Sequence, residues 1–472
     1  MLFDEKILKR RRLHFIGIGG IGMSGIAEIL LNLGYRISGS DLRRSAITDR
    51  LSNLGAVIHE GHAAEHVTGA DVVVYSSAIA KKNPEYAAAA ANGVPLIMRG
   101  ELLAELMRLK FGIAVGGSHG KTTTTSMTAA VLQAAEKDPT VVVGGKVGSM
   151  GSNARLGKSD FLLVEADESD GSFLRLAPII AVITNVDREH LDHYQSDQEI
   201  EDAFVAFANK VPFYGSAIVC IDDPVVRRLI PRMTRRVRTY GSSPDADLVI
   251  RDIEHGRMVS RFALAFHGRD MGAFEVFGAG RHNVLNAAAA ALVALELGAG
   301  DEQIREGLRG FIGVDRRFQI RGERGGVTVV DDYGHHPTEI RATLSAARNC
   351  GFRRIHVLFQ PHRYSRTELL EAEFAACFGD CDSLEVVDIY AASEEPRPGV
   401  NSLRLVEKIQ AAGAPAAYAP SIEEAVERAV ERAQPGDAIV TLGAGNIFRA
   451  ADNILAALDP IEARPLEEGA AH

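Results

Sequence analysis

Cysteine is scarce in this chain. The four present, Cys220, Cys350, Cys377 and Cys381, contain no CxxC pair, so neither a disulfide framework nor a thiolate zinc site is expected, and a reducing, cytoplasmic compartment fits. Positive charge is also short. A formal net charge of −10 at pH 7 leaves no broad basic face for a phosphate polymer, so nucleic acid is not expected as a partner. Long apolar runs are missing too: none reaches the ~20 residues that cross a bilayer, and no membrane partner is expected. Lys9-Arg10-Arg11-Arg12 before the glycine-rich run from Phe15 to Ala27 imitates a secretory leader. That run carries a patterned GxGxxG, continues through Glu28 into helical spacing, and closes on no small-residue cleavage site, so it reads as structure.

Core material is ample. Hydrophobic residues make up 46% and charged residues 24% of 472, which is ordinary globular usage. The chain is too long for one core, and the usual domain sizes suggest about three domains. No short-period repeat divides it.

The order of signals is that of an α/β protein. Leu13 to Ile16 reads as a strand, Gly17 to Gly22 as a turn, and Met23 to Leu33 as a helix stopped by Gly34. Tyr35 to Asp41 gives a strand ending in an acid, and Asp71 to Ile79 one ending in a hydroxyl-rich loop that holds Ser76 and Ser77. The grammar restarts with Gly112 to Val115 running into Gly116-Gly117-Ser118-His119-Gly120-Lys121-Thr122-Thr123. Further apolar strands, Phe161 to Val164 and Ile179 to Ile183, end in acids or amides, where open α/β sheets place their sites. A third section opens near Asp315: Val327 to Val330 leads into Asp331-Asp332-Tyr333-Gly334-His335-His336-Pro337, with Pro337 suited to a first helical turn. Strands at Ile355 to Phe359, Leu384 to Ile389 and Ala438 to Leu442 complete it, and Pro465 to His472 reads as a frayed tail. The expected divisions are 1–110, 111–314 and 315–472.

Gly17, Gly19 and Gly22 follow a strand and open a helix, with Asp41 nineteen residues beyond the last glycine. In context this is the dinucleotide fingerprint. Physically the glycines only admit a diphosphate to a helix N-terminus, and a UDP-sugar carries a diphosphate as well as NAD does. The stronger signal is Gly117 to Thr123: a lysine and a hydroxyl after a glycine loop supply a cation for phosphates and an oxygen for Mg²⁺. Strict P-loop spacing wants glycine at the position of Val115, so the loop is expected to be shorter than the common one. Glu165-Ala166-Asp167-Glu168-Ser169-Asp170 and Asn185 to Asp192 both follow apolar strands. Alone, each acidic run reads as a solvated loop or a helix cap. Their shared strand-end placement suits carboxylates that hold Mg²⁺ against a triphosphate.

Six stretches together resemble the motif series of the Mur ligases: Gly117 to Thr123, Glu165 to Leu174 (EADESDGSFL), Asn185 to Asp192, Gly280 to Asn286, Asp331 to Glu339 (DDYGHHPTE) and Phe359 to Thr367 (FQPHRYSRT). The likeness spans nearly the whole chain and is nearest to the member that joins L-alanine to UDP-N-acetylmuramate. It implies a Rossmann-like N-terminal domain for the UDP-sugar, a central P-loop ATPase domain and a Rossmann-like C-terminal domain. It also implies ATP with two Mg²⁺ ions, for which Mn²⁺ can substitute.

Residue by residue, the resemblance implies that Gly117, Ser118, His119, Gly120, Lys121, Thr122 and Thr123 form the phosphate loop, with Lys121 on the β- and γ-phosphates. Thr122 and Glu165 are implied as ligands of one Mg²⁺ and His190 of a second. His282, Asn283 and Asn286 match the adenine-side segment, and Asp332 an acid near the ribose. His362 and Arg366 match residues facing the amino acid and the reacting carboxylate, with His335, His336 and Arg363 nearby. Gly19, Gly20, Ile21, Gly22, Asp41, Ser76 and Ser77 are assigned to the UDP-sugar. Ser118 stands where threonine is usual and Gly116 where alanine is usual. The carbamylated lysine of other Mur ligases has no counterpart: the first lysine after His190 is Lys210, twenty residues on.

The chemistry so implied is γ-phosphoryl transfer to a carboxylate followed by attack of an amine on the acyl phosphate. A ligase that recycles a ready-made tripeptide onto the same sugar would share these motifs, but FQPHRYSRT favours the enzyme using a single amino acid. A dehydrogenase leaves Gly117 to Thr123 unexplained, and a nucleotide-gated switch leaves the outer domains idle.

Overall fold

The structure is a computed structural model that describes residues 11–76, 78–147, 152–189 and 194–458, with backbone alone at 21, 144–147, 152 and 153. Ser77, His190 and the 465–472 tail lie outside the described residues. The chain forms two compact units. One comprises Met1–Ile253, Phe262–Val276 and Val284–Val314, and the other comprises Glu254–Arg261, Phe277–Asn283 and Asp315–His472.

The first sheet holds β1 (Arg12–Ile16), β2 (Arg36–Asp41), β3 (Val57–Glu60), β4 (Val72–Tyr75) and β5 (Leu96–Met98), all parallel, in the order β3-β2-β1-β4-β5. β1 is central, so Leu13, Phe15 and Ile16 are buried, as a parallel strand covered on both faces requires. The chain winds from β1 to β2 and β3, then returns to β4 on the other side. The crevice of a doubly wound sheet opens at that reversal. The strand expected over Asp71 to Ile79 stops at Tyr75, and Ser76 begins the loop.

The second sheet has ten strands: β6 (Phe111–Gly116), β7 (Thr140–Val147), β8 (Ser152–Arg155), β9 (Phe161–Glu165), β10 (Ile180–Ile183), β11 (Ser216–Cys220), β12 (Val237–Gly241), β13 (Leu248–His255), β14 (Val259–Phe266) and β15 (Arg269–Phe277). Their order is β15-β14-β13-β12-β11-β10-β6-β9-β7-β8. β6 lies between β9 and β10, parallel to both, which brings the segments after three strands to one edge. The helix Lys121–Ala134 that leaves β6 is rich in threonine yet buried. Thr125, Ser126 and Thr128 donate back to the carbonyls of Lys121, Thr122 and Thr124 at 2.8, 2.7 and 2.7 Å, which satisfies the hydroxyls without water. In the helix Arg281–Glu296, residues Ala287 to Ala294 are all buried, as a helix apolar on every side must be.

In the other unit β16 (Gln319–Arg324), β17 (Val327–Asp332), β18 (Ile355–Phe359), β19 (Ser383–Val386), β20 (Ala416–Tyr418) and β21 (Ala438–Leu442) form a sheet in the order β16-β17-β21-β18-β19-β20, antiparallel only at β16. β17 runs two residues beyond the expected Val330. Asp331 and Asp332 can stay in the buried strand because Thr441 Oγ1 donates to the first, and Phe318 N and Gly334 N to the second. Pro337 opens the helix Pro337–Asn349 at its first position. Among the described residues no helix is long and apolar enough to cross a membrane.

Candidate active site

The glycine turn after β1 is shaped by β2. Ser40 O accepts from Gly17 N and Ile18 N at 2.8 and 2.9 Å, and Asp41 Oδ2 accepts from Gly19 N at 2.8 Å. Gly17 has φ +76°, a conformation that favours glycine. A Cβ on Gly19 would sit 2.8 Å from Asp41 Oδ2, so that contact needs glycine. Asp41 therefore braces the turn, and its Oδ1 accepts from Leu42 N at 2.8 Å. Gly20 caps the helix Ile21–Asn32 without a side-chain bond, and no acid lies in the first turn. Arg99, unremarked in the sequence, lies against Gly22.

The phosphate-type loop after β6 is fastened to the segment after β10. Ser118 N donates to Asn185 O at 3.1 Å, His119 N to Asn185 Oδ1 at 2.8 Å, and Asp187 N to Ser118 Oγ at 2.8 Å. His119 O accepts from Thr184 Oγ1 at 2.7 Å, and His119 Nε2 lies 2.9 Å from Asp187 Oδ2. Gly120 takes φ +79° at the helix cap, where a Cβ would lie 2.7 Å from Asn286 Oδ1. Asn286 also accepts from Thr124 Oγ1 at 3.1 Å, so the structure brings this residue to the loop. Thr123 is buried in the first helical turn.

Lys121 Nζ donates to Gly117 O at 2.7 Å, Ser118 O at 3.0 Å and Glu168 Oε1 at 2.8 Å. Burial opposes its charge, but Glu168, Asp167 and Glu189 outweigh that and hold the ammonium above the ordinary lysine range. Thr122 Oγ1 lies 2.9 and 3.0 Å from the two oxygens of Glu165. A hydroxyl and a carboxylate so placed are the hard oxygen donors that Mg²⁺ takes. Glu168, Asn185 and Asp187 stood within acidic runs whose spacing does not say which member faces the loop. Lys210 lies beyond the end of the helix Asp197–Ala208 rather than along it.

The second unit gathers the other expected residues. Burial, reinforced by Arg317 and His255, lowers His282 to about 4, and Asn283 Nδ2 donates to Ala279 O at 3.1 Å. Asp332 Oδ2 accepts from Phe318 N and Oδ1 from Gly334 N, both at 2.7 Å, while burial lifts its carboxyl to about 6. His336 caps the helix Pro337–Asn349, its Nδ1 accepting from Thr338 N at 3.3 Å.

His335 and His362 face each other with ring centroids 5.8 Å apart, and His362 stacks on Tyr390 at 5.7 Å. Arg366 Nη1 lies 3.2 Å from His362 Nδ1. Guanidinium only donates, so Nδ1 accepts and the proton of the neutral ring sits on Nε2. Burial, then His335, Arg366 and Arg363, push His362 down to about 3. Arg363 sits at φ +69° and donates its N–H to Tyr390 O at 2.8 Å, which fixes the turn that aims His362 and Arg366. Tyr390 and Glu394, the latter bound to Ser365 N at 3.0 Å, join this cluster from the loop after β19. No spacing in the sequence pairs them with FQPHRYSRT.

Three family models match in succession: "Mur ligase family, catalytic domain" over residues 12–111, "Mur ligase middle domain" over 115–294, and "Mur ligase, glutamate ligase domain" over 316–445. The UDP-N-acetylmuramate–L-alanine ligase of Solibacter usitatus is 59% identical over 453 residues, 96% of each chain. That of Acidobacterium capsulatum is 59% identical over 444 residues, 94% of this chain and 96% of the other. The crystal structure of the UDP-N-acetylmuramate-alanine ligase of Thermotoga maritima aligns with a TM-score of 0.79 at 28% identity, covering 94% of this chain and 98% of that one. A murein peptide ligase from Psychrobacter arcticus aligns at 0.68 with 24% identity, a likeness of fold. With all three domain models in order along it, the chain belongs to the Mur ligase family.

Proposed function

We propose that this chain joins L-alanine to the lactyl carboxylate of UDP-N-acetylmuramate, with ATP converted to ADP and phosphate, in peptidoglycan synthesis. The carrying observation is the 59% identity to a UDP-N-acetylmuramate–L-alanine ligase over 96% of both chains. Residues 1–110 would take the UDP-sugar, 111–314 ATP, and 315–472 the amino acid. The small-molecule substrates, the absence of a nucleic-acid or membrane partner, and a cytoplasmic setting follow from the same reading.

Lys121, at the start of the helix after β6, would neutralise the γ-phosphate as it moves to the carboxylate. To do so it exchanges one of its three present acceptors for phosphate oxygen. Gly117, Ser118, His119, Gly120 and Thr123 shape the loop, and Asn286 supports Gly120. Thr122 and Glu165 fit one Mg²⁺ by their oxygen donors, with His190 assigned to a second. Such ions supply charge neutralisation of the triphosphate. His282, Asn283 and Asp332 are assigned to the nucleotide side.

The acyl phosphate then meets the free amine of alanine, whose carboxylate suits Arg366. His362, neutral at physiological pH, presents Nε2–H, with His335, His336 and Arg363 around it. Gly19, Gly20, Ile21, Gly22, Asp41, Ser76 and Ser77 would surround the UDP-sugar.

Competition among L-alanine, glycine, L-serine and the tripeptide L-Ala-γ-D-Glu-diaminopimelate tests the substrate. Alanine should win, with glycine and serine used weakly, because one methyl or hydroxyl is worth only ~1 to 3 kcal/mol of discrimination. Preferential use of the tripeptide would move the chain to the recycling class.

A further inference from the structure

The register of the first sheet places Phe15, Val74 and Ile97 in one row across β1, β4 and β5. Gly17, Ser76 and Arg99 each stand two residues beyond that row, at the carboxyl edge where the sheet reverses its winding. Arg99 is also the first residue of the helix Arg99–Arg108. Its guanidinium lies against Gly22, where a Cβ would come within 3.2 Å of Cζ and Cδ. Glycine at 22 thus makes room for an arginine.

That position is electrostatically unfavourable for a cation alone. The helix Ile21–Asn32 presents its positive end there, with no side-chain cap and no acid in its first turn. Arg99 is half-buried, and among the described residues its side chain has no hydrogen-bond or ion-pair partner. The acid nearest in sequence, Glu101, is engaged by Met98 N and by Arg175. A guanidinium beside a helix N-terminus calls for an anion between them, and a diphosphate offers oxygens for a bidentate contact.

We propose that Arg99 binds the diphosphate of the UDP-sugar and sets the preference for a diphosphate over an uncharged nucleoside; this rests on the reading of the chain as a UDP-N-acetylmuramate ligase. Arg99 approaches the diphosphate from the β5 side while the glycine turn offers backbone N–H groups from the β1 side. The contact is made by a charge as well as by a glycine loop, so it should be sensitive to salt.

Titration calorimetry on the full chain, with direct binding of UDP-N-acetylmuramate and UDP and displacement by uridine, compares wild type with Arg99→Gln and Arg99→Lys. In Arg99→Gln the affinity for UDP-N-acetylmuramate should fall about 10- to 100-fold, as for other hydrogen bonds to charged groups. Affinity for uridine should hold, so that the UDP-over-uridine preference shrinks by the same factor, and Arg99→Lys should recover part of it. The KM values for ATP and alanine should not move. The unfolding temperature of the free protein should hold or rise, because a cation leaves an electropositive site. An unchanged UDP-over-uridine preference overturns the assignment, as does an equal fall for both ligands. If wild type binds uridine nucleotides but not UDP-N-acetylmuramate, the ligase reading itself fails.

Discussion

Lys121 Nζ and Glu168 Oε1 meet at 2.8 Å, with the lysine side chain 14% exposed and the glutamate side chain 0%. The pair has two separable consequences. Removing the lysine strips the proposed phosphate site of its cation and leaves a carboxylate buried beside fewer counter-charges. Lys121→Ala should therefore lose on the order of 10²- to 10³-fold in turnover and also about 3 kcal/mol in stability. Adding Glu168→Gln should return much of the stability and none of the turnover. Thermal unfolding beside initial rates checks this, and recovery of rate in the double variant would show that Lys121 serves the fold alone.

Thr122 and Glu165 make a second test. Their contacts at 2.9 and 3.0 Å gather three oxygens at the end of β9, so Thr122→Ala and Glu165→Ala should raise the Mg²⁺ concentration for half-activation about tenfold or more. Calorimetric affinity for UDP-N-acetylmuramate should be unaltered. Parallel losses of metal activation and sugar binding would mark both residues as scaffolding.

Asp332 predicts a pH signature. Its folded carboxyl is lifted to about 6, above the ordinary ~3.9 of an unfolded chain. The native state thus holds more protons between pH 4 and 6, so this group's contribution to stability falls as pH rises through that window and is flat above it. Asp332→Asn should remove this slope, worth on the order of 3 kcal/mol across the window. It should also lose one of two amide bonds, since Phe318 N and Gly334 N donate to different carboxylate oxygens and asparagine replaces one of these with an NH2 group that only donates. Denaturant unfolding from pH 4 to 7 gives the difference curve, and a pH-independent difference would contradict the burial argument.

Arg366 and His362 predict a division between kinetic constants. Arg366→Ala should raise the KM for alanine about 10- to 100-fold, as loss of a charge-assisted contact does, and leave that for ATP near wild type. Because His362 is pushed down to about 3, its protonation should add no acid limb to the rate between pH 5 and 8. An acid limb in that range that disappears in His362→Gln would count against a neutral imidazole.

Where a strand carries chemistry at its end, the sequence reads well. β18 and β21 fall where expected, and the loop from Gly117 to Thr123 opens a helix as its glycines and lysine require. β11 to β15 went unread because they bear no motif, although β13, β14 and β15 follow one another in the sheet through short connections. β17 was read two residues short because buried aspartates look like loop residues until their donors are seen, and Phe318 N and Thr441 Oγ1 are distant from them in sequence. The glycine turn was legible, whereas Arg99 was not: the link between Gly22 and Arg99 is created by the order of strands in the sheet. Glu168 was visible only as one acid among several, and Tyr390 reaches His362 because β18 and β19 are neighbours. Local pattern marked the loops, and topology chose the partners.

The central claim is that the sugar's carboxylate is activated by the γ-phosphate of ATP before an amine attacks. Carboxylate-labelled ¹⁸O-UDP-N-acetylmuramate, incubated with ATP, Mg²⁺ and L-alanine and followed by mass analysis, tests it directly. The account predicts UDP-N-acetylmuramoyl-L-alanine, ADP and one ¹⁸O transferred to the released phosphate. Product formed with the label in AMP, or with no label in phosphate, would contradict it.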